Sequence, residues 1–170
     1  SVEYYSTISY PLENSIIAIV KKSNNYKKLL ENNLVQNEIN RAKKFVNIIN
    51  YRRENIYKKL MRISSKYGDM AVFGGGHLAV AFISILELGE LFDYVIDDNT
   101  NKKGMYMPIG EIPIIDSKLM ISKGIKICLL ALNPQNHSLV IDNNHNFINS
   151  GGVFLSIFPD TDNYIEDYEI

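Results

Sequence analysis

A single cysteine, Cys128, stands in these 170 residues, so no disulfide can form within the chain and no structural zinc site can be built from thiolates. It lies in the apolar run from Ile125 to Leu132, where a cysteine behaves as a small buried hydrophobe and not as a nucleophile. Lysines and arginines cluster no further than pairs, and 18 of them balance 19 acids for a net charge of −1. Nothing in that pattern suggests a nucleic-acid surface. No apolar stretch approaches the roughly 20 residues of a membrane span, and no signal peptide precedes the fold. These absences point to a cytoplasmic protein whose partners are small molecules or other proteins. The chain opens Ser-Val instead of Met, which reads as a piece of something longer.

Almost half of the residues are apolar, enough for one domain with a real core plus an appendage. Residues 15–21 (Ser-Ile-Ile-Ala-Ile-Val-Lys) form a strand-like run with no predicted sheet of its own, so its neighbours are expected in a preceding domain. From Leu34 to Tyr67 the apolar positions recur four and three apart: Val35, Ile39, Ala42, Val46, Ile49, then Arg53, then Ile56, Leu60, Ile63 and Tyr67. That is one long helix of about 50 Å, with Arg53 interrupting its stripe. Because Phe45, Ile48 and Met61 widen the apolar face, the stripe is expected to pack on its own chain and not to form a coiled-coil seam. A homo-oligomer stays open.

After Gly68 short apolar strands alternate with helices: strand 70–73, helix 77–88, strand 94–96, strand 112–115, short helix 117–122, strand 126–131, helix 135–149 and strand 153–158. This alternation predicts an α/β fold, a Rossmann-like parallel sheet flanked by helices and preceded by the long helix. Four segments follow: residues 1–33 as the remnant of a preceding domain, 34–67 as a connecting helix, 68–159 as the Rossmann-like domain, and 160–170 as an acidic tail, frayed or laid on the surface.

The richest motif is Phe73-Gly74-Gly75-Gly76-His77-Leu78-Ala79, an apolar strand that breaks into three glycines and resumes as a helix. Gly74, Gly76 and Ala79 occupy the fixed positions of the G-x-G-x-x-G/A phosphate-binding turn. About twenty residues on, the second strand ends in Asp97-Asp98-Asn99, where such folds grip a ribose diol. Ligands of parallel sheets bind at the carboxyl ends of the strands, which also carry Asn133 before Pro134. The candidate substrate-binding residues are therefore Gly74, Gly75, Gly76, His77, Asp97, Asp98 and Asn133. Each has a plain alternative: His77 as an exposed helix start, Asp97 and Asp98 as turn acids, Asn133 as a turn cap. Lys102, Lys103 and Tyr106 sit in an irregular segment near the second strand end, where a cation and a ring could meet a diphosphate or base, and the lysines read more simply as solvated loop residues. His137 and His145, eight apart on the last helix, are too far apart for a metal pair, and no metal ligand set or catalytic residue is assigned.

The order of these elements is familiar. A long helix, the Phe-Gly-Gly-Gly-His turn, Phe92-Asp93-Tyr94-Val95-Ile96-Asp97-Asp98-Asn99, Lys102-Lys103-Gly104-Met105-Tyr106-Met107-Pro108 and Ile112-Pro113-Ile114 together resemble the C-terminal domain of the sugar C-methyltransferases that act on nucleotide-linked deoxysugars. The resemblance covers most of residues 38–159. It implies a zinc module and an S-adenosylmethionine-binding catalytic domain ahead of this one, with the nucleotide sugar between the last two domains. Residues 15–22 then resemble the final strand of the catalytic domain. The zinc module's cysteines and the catalytic domain are not in this sequence, and Ala79 stands where the family commonly has glycine. The resemblance therefore implies an accessory, substrate-side domain that holds no cofactor itself and contacts a nucleotide-linked sugar and its catalytic domain. The alternative is an NAD-binding oxidoreductase domain, against which no Tyr-x-x-x-Lys pair follows the glycines. A sugar acyltransferase cap ranks last, for want of a hexapeptide repeat.

Overall fold

The computed structural model describes residues 1–9, 14–22, 24 and 32–169, which divide into two units, 1–45 and 46–170. In the first, strand β1 (Val2–Ser9) pairs antiparallel with β2 (Asn14–Val20), so that Ser6 faces Ile17 and Thr7 faces Ile16. The expectation that the 15–21 strand has no neighbour is corrected here. Tyr4, Tyr5, Thr7 and Ile8 give residues 2–9 the aromatic and β-branched content of a strand, a signal obscured by the serines between them. The hairpin's large apolar side chains are exposed, Tyr5 and Ile16 to 72% each.

Helix α1 (Asn32–Tyr67) runs through the boundary between the two units. Its apolar stripe has two fates. Ile56, Leu60 and Ile63 are buried in the core of the second unit, whereas Leu34, Val35, Ile39, Phe45, Val46 and Ile48 are exposed. The expected packing on the chain itself holds only for the C-terminal part of the stripe.

The second unit is the predicted parallel sheet. Strands β3 (Met70–Phe73), β4 (Tyr94–Ile96), β5 (Ile114–Ile115), β6 (Ile127–Leu130) and β7 (Val153–Ser156) lie in the order β5-β4-β3-β6-β7, all parallel. Every residue of β3 and β6 is buried, as continuous apolar runs between two helix layers demand. On one face Met70, Val72, Leu129 and Leu155 meet α1 and helix α2 (His77–Leu86). On the other, Ala71, Phe73, Cys128 and Phe154 meet helices α3 (His137–Asn143) and α4 (His145–Asn149). The predicted 135–149 helix is thus broken: a 3₁₀ turn opens it at Pro134 and Asn144 interrupts it, its side-chain amide donating to the Val140 carbonyl at 2.8 Å. Burial of Cys128 raises its thiol pKa well above the ordinary range, so it carries no thiolate.

The acidic tail covers the surface and is not frayed. Ile165 is wholly buried and Tyr164 nearly so, and the chain pairs beside β7 through a parallel bridge between Ser156 and Tyr164. The Ser156 N–H donates to the Asn163 carbonyl at 2.8 Å and the Ile165 N–H to the Ser156 carbonyl at 2.9 Å.

Candidate functional site

The reversal of strand order about β3 places a crevice between the carboxyl ends of β3 and β6, where β3 leads into α2 on one side and β6 runs on toward α3 on the other. A cleft of about 360 Å³ opens there, lined by Phe73, Gly74, Gly76, His77, Asp97 and Asn133 among others. Of the seven candidate residues only Gly75 is not on its wall. The cleft also takes in Asp98 and Lys102.

The three glycines have three different reasons. Gly74 adopts a φ of +104°, and a Cβ there would come 3.2 Å from the Ala131 carbonyl oxygen, so the fold itself requires glycine. At Gly75 a Cβ would lie 3.1 Å from Asp97 Oδ2, the atom that accepts the Gly75 N–H at 2.9 Å. Gly76 is different. Its φ of −113° and ψ of −172° suit any residue, and a Cβ there would meet nothing within 4 Å. As the N-cap of α2 it supplies no side-chain cap to the helix's first amides. His77, next along, is exposed at the mouth.

Asp97 is fully engaged. Its Oδ2 accepts from Gly75 and from Lys102 Nζ at 2.8 Å, and its Oδ1 accepts the Asn99 N–H at 2.9 Å. Lys102 also donates to the Gly75 carbonyl at 3.0 Å. Burial alone would raise the Asp97 pKa, but Lys102 and the two amides together hold it below the ordinary carboxylate value. The aspartate therefore braces the glycine turn, and the lysine closes the brace. The solvated-loop reading of Lys102 is corrected: five residues beyond Asp97, across a turn, it folds back onto the carboxylate. The recurrence of a cation just after an acidic strand end was the available signal.

Asp98 Oδ1 accepts the Ser117 N–H at 2.8 Å, tying the end of β4 to the turn after β5. Lys103 pairs with Asp116, and Tyr106 is exposed. Asn133 Oδ1 accepts the Gln135 N–H at 3.0 Å and caps the 3₁₀ turn, as its plain alternative had it. His137, read from the sequence as an ordinary surface or boundary residue, is more than nine-tenths buried, and its ring bonds the Leu132 carbonyl. Among the described residues no group of three or more His, Cys, Asp or Glu is placed to hold a metal, and no helix is long and apolar enough to cross a membrane.

A three-layer parallel fold with a glycine turn facing a crevice defines a Rossmann-like domain. Residues 17–159 match the model of the C-methyltransferase C-terminal domain, and the chain belongs to that family. Among solved structures, the chain is similar to a Rex-family repressor at 16% identity and a TM-score of 0.43, over 56% of this chain and 49% of that one. It therefore spans about half the length of that repressor. A second likeness, to UDP-D-quinovosamine 4-dehydrogenase from Vibrio fischeri, has 18% identity and a TM-score of 0.40, over 53% of this chain and 77% of that one. No protein among the curated sequences matches.

Proposed function

We propose that this domain is the substrate-side half of an S-adenosylmethionine-dependent sugar methyltransferase, and that its glycine cleft receives the diphosphate of a nucleotide-linked sugar. Gly76 carries the reading. Neither its backbone nor its neighbours call for glycine, so the open space at that position serves something that enters the cleft. An anion there meets the uncapped amides at the start of α2 and the positive end of the helix dipole. Lys102 adds a cation at the cleft wall, already held by Asp97. His77 at the mouth is placed to donate to the same anion.

In this role Asp97 shapes the turn and leaves the ribose of the nucleotide to Asn133, whose side-chain amide nitrogen is not used by the cap. No residue is assigned a bond-making step. Methyl transfer belongs to the catalytic domain, in which S-adenosylmethionine would bind and of whose sheet the β1-β2 hairpin would be the last part. Its bare apolar faces fit a sheet that continues beyond it.

Calorimetry on the 170-residue chain tests the reading. A nucleotide diphosphate sugar is expected to bind with a dissociation constant on the order of millimolar, because half a shared site keeps the full entropic cost of association. Gly76→Val should abolish that binding while leaving the fold intact. Micromolar affinity for NAD would overturn the reading in favour of an oxidoreductase domain. The chain alone is also expected to transfer no methyl group from S-adenosylmethionine to any nucleotide sugar; turnover in a radiolabel assay would refute that division of labour.

A further inference from the structure

A second cleft, of about 340 Å³, lies at the carboxyl ends of β6 and β7. It is lined by His137, Ser138, Asp160, Thr161, Asp162 and Asn163 over a floor that includes Leu130 and Phe154. The Leu132 to Pro134 turn separates it from the glycine cleft: Leu132 and Asn133 line one side, Pro134 the other.

Two of its polar side chains, His137 and Thr161, have already committed their donors. His137 Nε2 lies 3.1 Å from the Leu132 carbonyl oxygen, which can only accept, so the proton sits on Nε2 and Nδ1 carries a lone pair. Burial disfavours the imidazolium and pushes the His137 pKa down, with the Leu132 bond opposing, so the ring is neutral at neutral pH. The Thr161 hydroxyl donates to the Phe158 carbonyl at 2.6 Å, which likewise leaves its oxygen to accept. His137 lines the cleft, and its Nδ1, which has no bond among the described residues and is not fully occluded, is left to accept. Two carboxylates, Asp160 and Asp162, stand on the rim. Asp160 and Asn163 are both held at positive φ, 63° and 59°, a conformation that costs energy for residues with side chains and that turns this short loop around the opening.

We infer that this cleft is a binding subsite for a compact ligand bearing an ammonium group beside hydroxyls, with His137 Nδ1 and Thr161 Oγ1 accepting from it and Asp160 and Asp162 supplying the charge. The two carboxylates oppose a phosphate there. The inference does not depend on the glycine cleft taking a diphosphate.

Two-dimensional amide NMR on the 170-residue chain, titrated separately with glucosamine, glucose and inorganic phosphate, separates the outcomes. Glucosamine is expected to shift the amides of Ser138, Thr161 and Asn163 saturably, glucose to shift them at least about tenfold more weakly, as the loss of a charged hydrogen bond implies. Phosphate should leave them still, and any shift it causes at Gly76 and His77 reports on the other cleft alone. His137→Ala should abolish the glucosamine shifts. Should that variant fail to fold, the isosteric double variant Asp160→Asn, Asp162→Asn, both at the surface and with asparagine at home in the positive φ of position 160, should weaken glucosamine at least about tenfold and bring it level with glucose. Equal binding of glucose and glucosamine, phosphate binding at these amides, or glucosamine binding unchanged by the double variant each overturns the inference.

Discussion

Gly74 and Gly76 are two residues apart and have opposite obligations, which a substitution pair reads directly. Gly74→Ala forces a side chain into a left-handed backbone against the Ala131 carbonyl and is expected to cost about 1–3 kcal/mol in urea denaturation. Gly76→Ala meets no atom within 4 Å and should change stability by less than about 0.5 kcal/mol. Both glycines were legible as a motif, but the sequence could not say which one serves the fold, since backbone φ and the nearness of β6 are tertiary facts. Asp97 is a parallel case. The strand-end acid was visible, yet its brace to Gly75 and Lys102 joins residues up to 27 apart. With its pKa depressed in the folded state, Asp97 contributes stability that is present above the ordinary carboxylate pKa of about 3.9 and is lost as pH falls below it. Asp97→Asn should therefore destabilise the chain at neutral pH, by about 1–3 kcal/mol through weakened bonds to Lys102 and Gly75, and less at pH about 3. Denaturation curves at the two pH values would show the gap close; an equal loss at both would mean that the carboxylate's charge is not what holds the turn.

At the scale of elements, α1 was legible in type and extent but not in where its face is covered. Heptad spacing continues from Val35 to Tyr67 regardless of what lies opposite, so periodicity alone cannot find the point at which a partner ends. Arg53, which read as a flaw in the stripe, turns out to have its own reason. Its guanidinium donates to the Ile85 carbonyl at 3.0 Å and pairs with Glu87 at 2.9 Å, and so answers the exposed carbonyls and negative end of α2. Glu87 itself is the left-handed C-cap of α2, at φ 55°. Leu60→Ala and Ile63→Ala, which empty wholly buried positions, should each cost about 2–5 kcal/mol. Ile56→Ala falls in the same class, Ile49→Ala below it because that side chain is half-buried, and Val46→Ala should stay within about 0.5 kcal/mol. Chemical denaturation of the five variants would decide the matter; a Val46→Ala loss as large as that of Leu60→Ala would mean that the exposed part of the stripe has a partner in solution.

For the molecule as a whole, the parallel sheet and its order of elements followed from alternating apolar strands and helices, whereas the extent of the domain did not. The family match ends at residue 159, and composition marks the next eleven residues as an acidic, soluble tail. Yet Tyr164 and Ile165 are apolar side chains placed five and six residues beyond Pro159, near enough to return along β7 and fill the core beside Leu155. The return also gives β7, otherwise an open edge strand, hydrogen bonds at Ser156. Three contacts carry the tail on to α1: Arg52 reaches the Tyr164 hydroxyl at 3.5 Å and Glu166 at 3.7 Å, and Lys59 donates to the Tyr168 carbonyl. The tail's acids are solvated around two buried residues, which is why average composition concealed it. Ile165→Ala should thus lower stability by about 2–5 kcal/mol, as for any fully buried isoleucine, and Glu166→Ala by no more than about 1 kcal/mol, since its ion pair is exposed. A chain ended at Pro159 loses both buried side chains and the cover of the β7 edge together, and is expected to lose more than Ile165→Ala does and to aggregate on warming. Thermal unfolding followed by circular dichroism and light scattering would compare the three; a chain ended at Pro159 that melts with the intact one would return the tail to the status of a surface appendage.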